Sequence, residues 1–197
     1  MEMTSIQNPY LDECRKLPRC DRLPWEGDDT FPLHNSWVDC RRPLVKRFAW
    51  AIPNDEAIAK IVEYSPIIEI GAGTGYWAKL VADAGGDIVA FDADPAGIDS
   101  KNRWHSDKHL YSPVWHGGPE KIAEHPGRTL FLCWPPYDDP FVKECLDQYR
   151  GDTLIYVGEV DACTGWDERL DTEWKAADEV TIPKFSCIND YLMVFKR

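Results

Sequence analysis

The feature that most constrains this chain is a glycine loop set between two regular elements. Pro66-Ile67-Ile68-Glu69-Ile70 reads as a short buried strand, and Tyr76 to Ala84 reads as a helix stopped by Gly85-Gly86. Between them lies Gly71-Ala72-Gly73-Thr74-Gly75. Glycine admits positive φ and lets a ligand approach the backbone closely. The loop runs into a helix N-terminus, where free amide protons point outward. A pyrophosphate-binding G-x-G-x-x-G loop would need glycine at position 76, which is Tyr76. Glu69 also repels a phosphate and suits a cationic amino-acid end of a ligand.

Ile88 to Phe91 is a second strand, closed by Asp92 with Asp94 beyond. A carboxylate there can accept hydrogen bonds from both hydroxyls of a ribose. Asp92 lies 17 residues after Gly75, a span that one helix and one strand cover. A ribose, a cationic amino-acid part and no phosphate together describe S-adenosylmethionine.

Residues 66–95, PIIEIGAGTGYWAKLVADAGGDIVAFDADP, resemble the first two motifs of the class I S-adenosylmethionine-dependent methyltransferases. The resemblance extends in architecture over residues 54–197. It implies a Rossmann-like α/β fold: a mostly parallel seven-stranded sheet with a C-terminal antiparallel hairpin and helices on both faces. It also implies that Glu69, Gly71, Ala72, Gly73 and Gly75 line the methionine end of the cofactor. Asp92 would then hold the ribose, and Ala93 would lie against the adenine.

The remaining pattern fits that architecture. Asn54 caps a helix whose stripe is Ala57, Ile58, Ile61 and Val62. Further strands are expected at 109–115, 129–133, 153–157, 180–182 and 191–195. Helices are expected at 121–125, 141–149 and 167–174. The last two strands have no helix between them and should pair antiparallel.

Leu130 to Cys133 leads into Trp134-Pro135-Pro136-Tyr137, which strand geometry places at the ligand edge of the sheet. The segment is similar to the Asp/Asn/Ser-Pro-Pro-aromatic motif of amino-methyltransferases. There the polar side chain and a proline carbonyl accept the target amine, and the aromatic stacks on the target. The resemblance gives Trp134, Pro135, Pro136 and Tyr137 to substrate binding, with Trp134 also against the cofactor. Trp134 brings no acceptor side chain to the first position.

Glu159 follows the fifth strand and suits a substrate-amine partner or general base, equally a solvated carboxylate. Tyr137 and Glu159 are thus the catalytic candidates. His116 reads as a surface histidine and Cys133 as a buried, inert thiol. Arg41-Arg42 and Lys46-Arg47 form a basic cluster that reads first as a solvated face. Trp50 is a lid candidate.

Charge divides the chain. Residues 1–53 hold 8 basic and 8 acidic side chains, whereas residues 54–197 hold 14 and 26. The front, rich in proline, reads as an irregular extension or cap; the rest reads as the cofactor-binding domain. An acidic body disfavours nucleic acid and favours a small or planar acceptor. A nucleic-acid base methyltransferase and a cofactor-binding scaffold without activity are the alternatives. Seven scattered cysteines and no metal spacing predict neither a disulfide framework nor a metal site. The start, MEMTSIQNPYLDECRK, lacks the pattern of a secretory leader, and no stretch is long enough to span a bilayer. A soluble cytoplasmic protein is the expectation. Nine tryptophans, Trp25, Trp37, Trp50, Trp115 and Trp134 among them, suggest a planar, partly apolar acceptor site. Oligomeric state is not legible.

Overall fold

The computed structural model describes residues 6–17, 30–31, 37–97, 100–102, 104–105, 109–160 and 162–197, with backbone only at 30, 31, 37 and 38. Trp25 and His34 lie outside the described residues, and so does the side chain of Trp37.

The elements alternate as the sequence period dictates. Helices α1 (Pro9–Arg15), α2 (Arg42–Arg47) and α3 (Asp55–Glu63) precede the glycine loop, with the short strand β1 (Thr30–Phe31) and a π-helical turn (Trp37–Arg41) among them. Then come β2 (Ile67–Ile70), α4 (Tyr76–Asp83), β3 (Ile88–Asp92), β4 (Trp115–His116), α5 (Lys121–Glu124) and β5 (Thr129–Cys133). The chain ends with α6 (Phe141–Gln148), β6 (Thr153–Gly158), α7 (Arg169–Thr172), β7 (Lys175–Thr181), β8 (Lys184–Phe185) and β9 (Tyr191–Lys196). The side chain of Asn54 caps α3 by accepting from Ala57 N–H at 2.9 Å.

Seven strands form one sheet in the order β4-β3-β2-β5-β6-β9-β7, and β1 pairs with β8 in a small parallel sheet. Neighbours from β4 to β6 are parallel, and β9 runs antiparallel between β6 and β7. This is the mostly parallel seven-stranded sheet with a C-terminal antiparallel hairpin expected from the sequence. The strand order reverses direction about β2. The crevice between the carboxyl ends of β2 and β5 is therefore where this kind of sheet binds a ligand.

Period-2 alternation divides each central strand between two apolar layers. Ile67, Phe131, Ile155 and Val157 pack with α1, α3 and α4, together with Phe48, Ala51 and Ile52. Ile68, Ile70, Leu130, Leu132, Leu154 and Tyr156 pack on the other face with α6 and Trp174. The described residues of the 1–53 extension thus share one core with the sheet. Asn8 Nδ2 donates to Pro53 O at 2.7 Å, and Tyr10 N–H donates to Tyr76 Oη at 3.0 Å.

Two expectations need correction. Residues 109–115 do not form a strand; only Trp115–His116 pairs with β3. The reason is that Tyr111 N–H bonds to Thr74 O at 2.9 Å and Ser112 Oγ to Gly75 O at 3.0 Å, while Pro113 has no donor. That stretch covers the glycine loop instead of extending the sheet. The stretch expected as a helix over 167–174 and a strand over 180–182 is helical only at Arg169–Thr172, and its strand, β7, already begins at Lys175 and ends at Thr181. Its first three residues, Lys175, Ala176 and Ala177, are exposed, as suits an edge strand, and only Val180 is buried, so no apolar alternation announces it. No helix among the described residues is long and apolar enough to cross a membrane.

Candidate functional site

The glycine loop bends as its composition demands. Gly71, Gly73 and Gly75 have φ of +81°, +55° and +70°. Each is also a place of close approach. A Cβ at Gly71 would lie 3.2 Å from the Phe141 ring, and one at Gly73 would lie 2.6 Å from His105 Nε2. At Gly75 it would strike Ser112 Oγ, with Val114 at 2.7 Å. Thr74 Oγ1 donates to Phe48 O, tying the loop to the extension. Ala72 is buried beneath the loop.

Asp92 crosses from β3 to hold this loop. Its Oδ2 accepts from Gly73 N–H at 2.8 Å and its Oδ1 from Asp94 N–H at 2.8 Å. Each oxygen keeps a lone pair for a further donor. Ala93 follows in an exposed bend.

Glu69 is the most unusual group here. It is 1% exposed, and its Oε2 has no hydrogen-bond partner among the described residues. Burial, and secondarily the charge of Asp92, push its carboxyl up to about 8. Near neutral pH it is mostly protonated, and a cation placed beside it would favour the ionised form.

Trp134, at the end of β5, anchors a second cluster. Its φ is +53°, a left-handed conformation rare for a tryptophan. Its ring stacks on Trp50 with centroids 4.8 Å apart and planes 11° from parallel. Its indole N–H donates to Asp190 Oδ1 at 2.8 Å. Asp190 is buried, which pushes its carboxyl up to about 7 against the pull of the Trp134 bond and the Arg41 charge. Glu159 is also buried, with Oε1 accepting from Asn189 N–H at 2.9 Å and Oε2 without a partner among the described residues. Cys133 joins the two regions: burial raises its thiol strongly, and the charges of both Glu69 and Asp190 raise it further.

The structure therefore brings Trp134 and Glu159 into one cluster. Tyr137 is 67% exposed and lines a groove of about 590 Å³ with Asp138, Asp139, Pro140, Thr164, Gly165 and Trp166. Pro135 O accepts from Gly165 N–H at 2.9 Å, so this carbonyl already serves the fold. Pro136 is exposed beside Tyr137. His116 is exposed on the edge strand, next to Asp92 in register. The basic cluster is not uniformly solvated. Arg42 and Arg47 are exposed, whereas Arg41 is 9% exposed.

Three residues here were not singled out by sequence: His105, Asp190 and the buried form of Arg41. Asp190 and His105 lie in irregular stretches without periodicity. Arg41 sits among charges that read as surface. Its burial depends on rings contributed from distant positions. Among the described residues no group of metal-ligating side chains is found, and the described cysteines are free.

No family model matches the chain, and no curated protein matches it. Solved structures similar to it include a mutant of MtNAS, at 13% identity and TM-score 0.48, covering 72% of this chain and 58% of that one. A protein of the NADB-Rossmann superfamily from Streptococcus agalactiae is 12% identical with TM-score 0.45, covering 76% of this chain and 71% of that one. The B. subtilis tRNA methyltransferase TrmK is 16% identical with TM-score 0.43, covering 72% of this chain and 65% of that one. The chain thus spans less than two thirds of the length of the first and third. Strand order and the loop carry the fold assignment, and likenesses of this size add no argument to it.

Proposed function

We propose that this protein is an S-adenosylmethionine-dependent methyltransferase acting on a small or planar acceptor. The observation that carries the reading is the buried Glu69 carboxyl, with a partnerless Oε2, two residues before a left-handed glycine loop at the crevice of the sheet. A cationic amino-acid end fits that carboxyl, and a ribose diol fits the remaining lone pairs of Asp92. When bound, the cofactor supplies an electrophilic methyl group on a sulfonium. The chain's own part is to hold donor and acceptor in line and exclude water. The Trp50–Trp134 stack closes one side of the crevice, with Trp50 as lid. A small acceptor is favoured over nucleic acid because the net charge of -12 lies wholly in residues 54–197 and Tyr137 is followed by Asp138 and Asp139. Transfer of labelled methyl groups to metabolite, tRNA and DNA pools tests the reading. Counts confined to the metabolite pool support it, and counts confined to nucleic acid sink it.

A second reading, a cofactor-binding protein without transferase activity, gains from one fact. The position where amino-methyltransferases carry an amine acceptor holds Trp134, whose ring is engaged with Trp50 and Asp190. Cofactor binding without turnover on any pool would favour it.

Glu69 gives a pH signature. Its folded pKa of about 8 lies above the ordinary 4.5. The folded chain therefore holds this proton more tightly than the unfolded chain. The group favours folding at low pH, and that advantage is lost as pH rises from 4.5 through 8. A ligand ammonium selects the ionised form, so affinity for S-adenosylhomocysteine should rise with pH, roughly tenfold per unit between about pH 6 and 7.5. Calorimetry across that range should show the slope in the wild type and its absence in Glu69→Gln. A flat wild-type profile would contradict the contact.

A further inference from the structure

Beside the cofactor crevice lies a cluster with the chemistry of a cation receptor. The guanidinium carbon of Arg41 is 5.6 Å from the ring centroid of Trp50, 5.2 Å from Trp134 and 5.5 Å from Phe185. Aromatic faces at this distance attract a cation through their quadrupoles, more strongly when water is excluded. The acidic members are Asp190, 2% exposed, and Glu159, 5% exposed. Asp190 is engaged by the Trp134 indole, whereas the Glu159 carboxyl has Asn189 N–H on Oε1, the weak donor Cys163 Sγ beside it, and no partner within bonding distance on its buried Oε2 among the described residues. Arg41 does not complete the site, because that oxygen remains open in its presence. A carboxylate oxygen without a close donor, near enough to Asp190 and Arg41 to act on both, is a recognition element for an N–H donor that carries charge.

The site also has an approach. Cys163, which lies against Glu159, is exposed, so the cluster is one side chain from solvent. The other titratable groups facing it are Lys184, Tyr10 and Cys133. Arg41 itself is carried on the π-helical turn of the extension, not on the sheet. Trp134 follows β5, Glu159 follows β6, Asp190 precedes β9 and Phe185 ends β8, while Trp50 lies in the extension with Arg41. The cation thus comes from a part of the chain separate from the acids that attract it.

We propose that Trp50, Trp134, Phe185, Asp190 and Glu159 form a ligand site for a small guanidinium-like cation, and that Arg41 is its chain-borne occupant. An incoming head group displaces Arg41 and adds the hydrogen bond to Glu159 Oε2 that Arg41 leaves unmade. Trp134 directly follows β5, which pairs with β2 at Glu69–Phe131, so this cluster borders the crevice and is the anchoring site of the acceptor. That last step rests on the methyl-transfer reading; cation binding does not.

The probe is N-methylguanidinium at up to 50 mM, followed by tryptophan fluorescence, with sodium chloride at equal ionic strength as control. Arg41→Ala should give a saturable response, with at least tenfold tighter binding than wild type. Adding Glu159→Gln should weaken it at least tenfold. A folded Arg41→Ala protein with no saturable response overturns the proposal. So does binding that Glu159→Gln leaves unchanged, because the probe would then only be filling a hole. If Arg41→Ala does not fold, the wild type decides. A saturable response lost in Glu159→Gln supports the site, and a response no different from the salt control overturns it. Calorimetry with S-adenosylhomocysteine separates the two readings. Cation binding without cofactor binding upholds the site and sinks methyl transfer, whereas cofactor binding without cation binding overturns the site alone.

Discussion

Asp92→Ala should weaken S-adenosylhomocysteine binding by ten- to a hundredfold, or about 1.4–3 kcal/mol. Two losses combine. The carboxylate is the proposed acceptor for the ribose hydroxyls, and it also holds the loop through Gly73 N–H and the following bend through Asp94 N–H, each at 2.8 Å. Asp92→Asn keeps one acceptor oxygen, should retain part of the loop geometry, and should fall between. The substitution has a second consequence that a purely structural role would not produce. The Asp92 charge helps raise Glu69. Its removal should shift the pH dependence of binding toward lower pH. Calorimetry at several pH values reads both effects, and an unchanged affinity for Asp92→Ala would refute the ribose assignment.

Gly165→Ala should lower stability by about 3 kcal/mol, or roughly 6–12 °C in Tm for a chain of this size. The glycine is not needed for its φ but for its lack of a side chain. A Cβ there would strike the backbone carbonyl of Pro136, with Val142 at 3.4 Å behind it. Pro136 belongs to a stiff proline pair, so the obstacle cannot rotate away. The same glycine donates to Pro135 O at 2.9 Å and accepts from Tyr156 Oη at 2.7 Å. Shifting it strains both bonds, each worth about 1 kcal/mol. Thermal melts should show the loss, while affinity for the cofactor product at a temperature well below the melt should change little. A wild-type Tm in this variant would mean that the Pro135–Pro136 turn yields more easily than its two rings imply.

What could be read from the chain followed from local rules. Ile67–Ile70, Ile88–Asp92 and Thr129–Cys133 stand out because short apolar runs bounded by glycine, proline or acids have few other uses. The α4 helix was legible because Gly75 and the Gly85-Gly86 pair bracket it. The antiparallel finish was legible because nothing long enough for a crossover separates its strands. The features that were missed depend on partners far away in sequence. Residues 109–114 were expected as a strand, but Tyr111 N–H and Ser112 Oγ donate to Thr74 O and Gly75 O, and no local pattern announces that. Asp190 looks like a loop acid until the Trp134 indole finds it. Arg41 looks solvated because its neighbours Arg42 and Arg47 are, and only the positions of Trp50, Trp134 and Phe185 take it out of water. The same long-range packing decides the Trp-Pro-Pro-Tyr segment. Sequence put its four residues at one site, whereas the structure turns Trp134 into the buried cluster and leaves Tyr137 in an exposed groove.

The central claim is that the crevice between β2 and β5 holds the methyl donor. A crystal structure with S-adenosylhomocysteine bound tests it most directly. The ribose hydroxyls should lie within hydrogen-bond distance of Asp92 and the amino group against Glu69 Oε2, with the sulfur facing the Trp134 side of the crevice. A saturated protein whose ligand lies elsewhere, with Glu69 Oε2 still unpartnered, would contradict it.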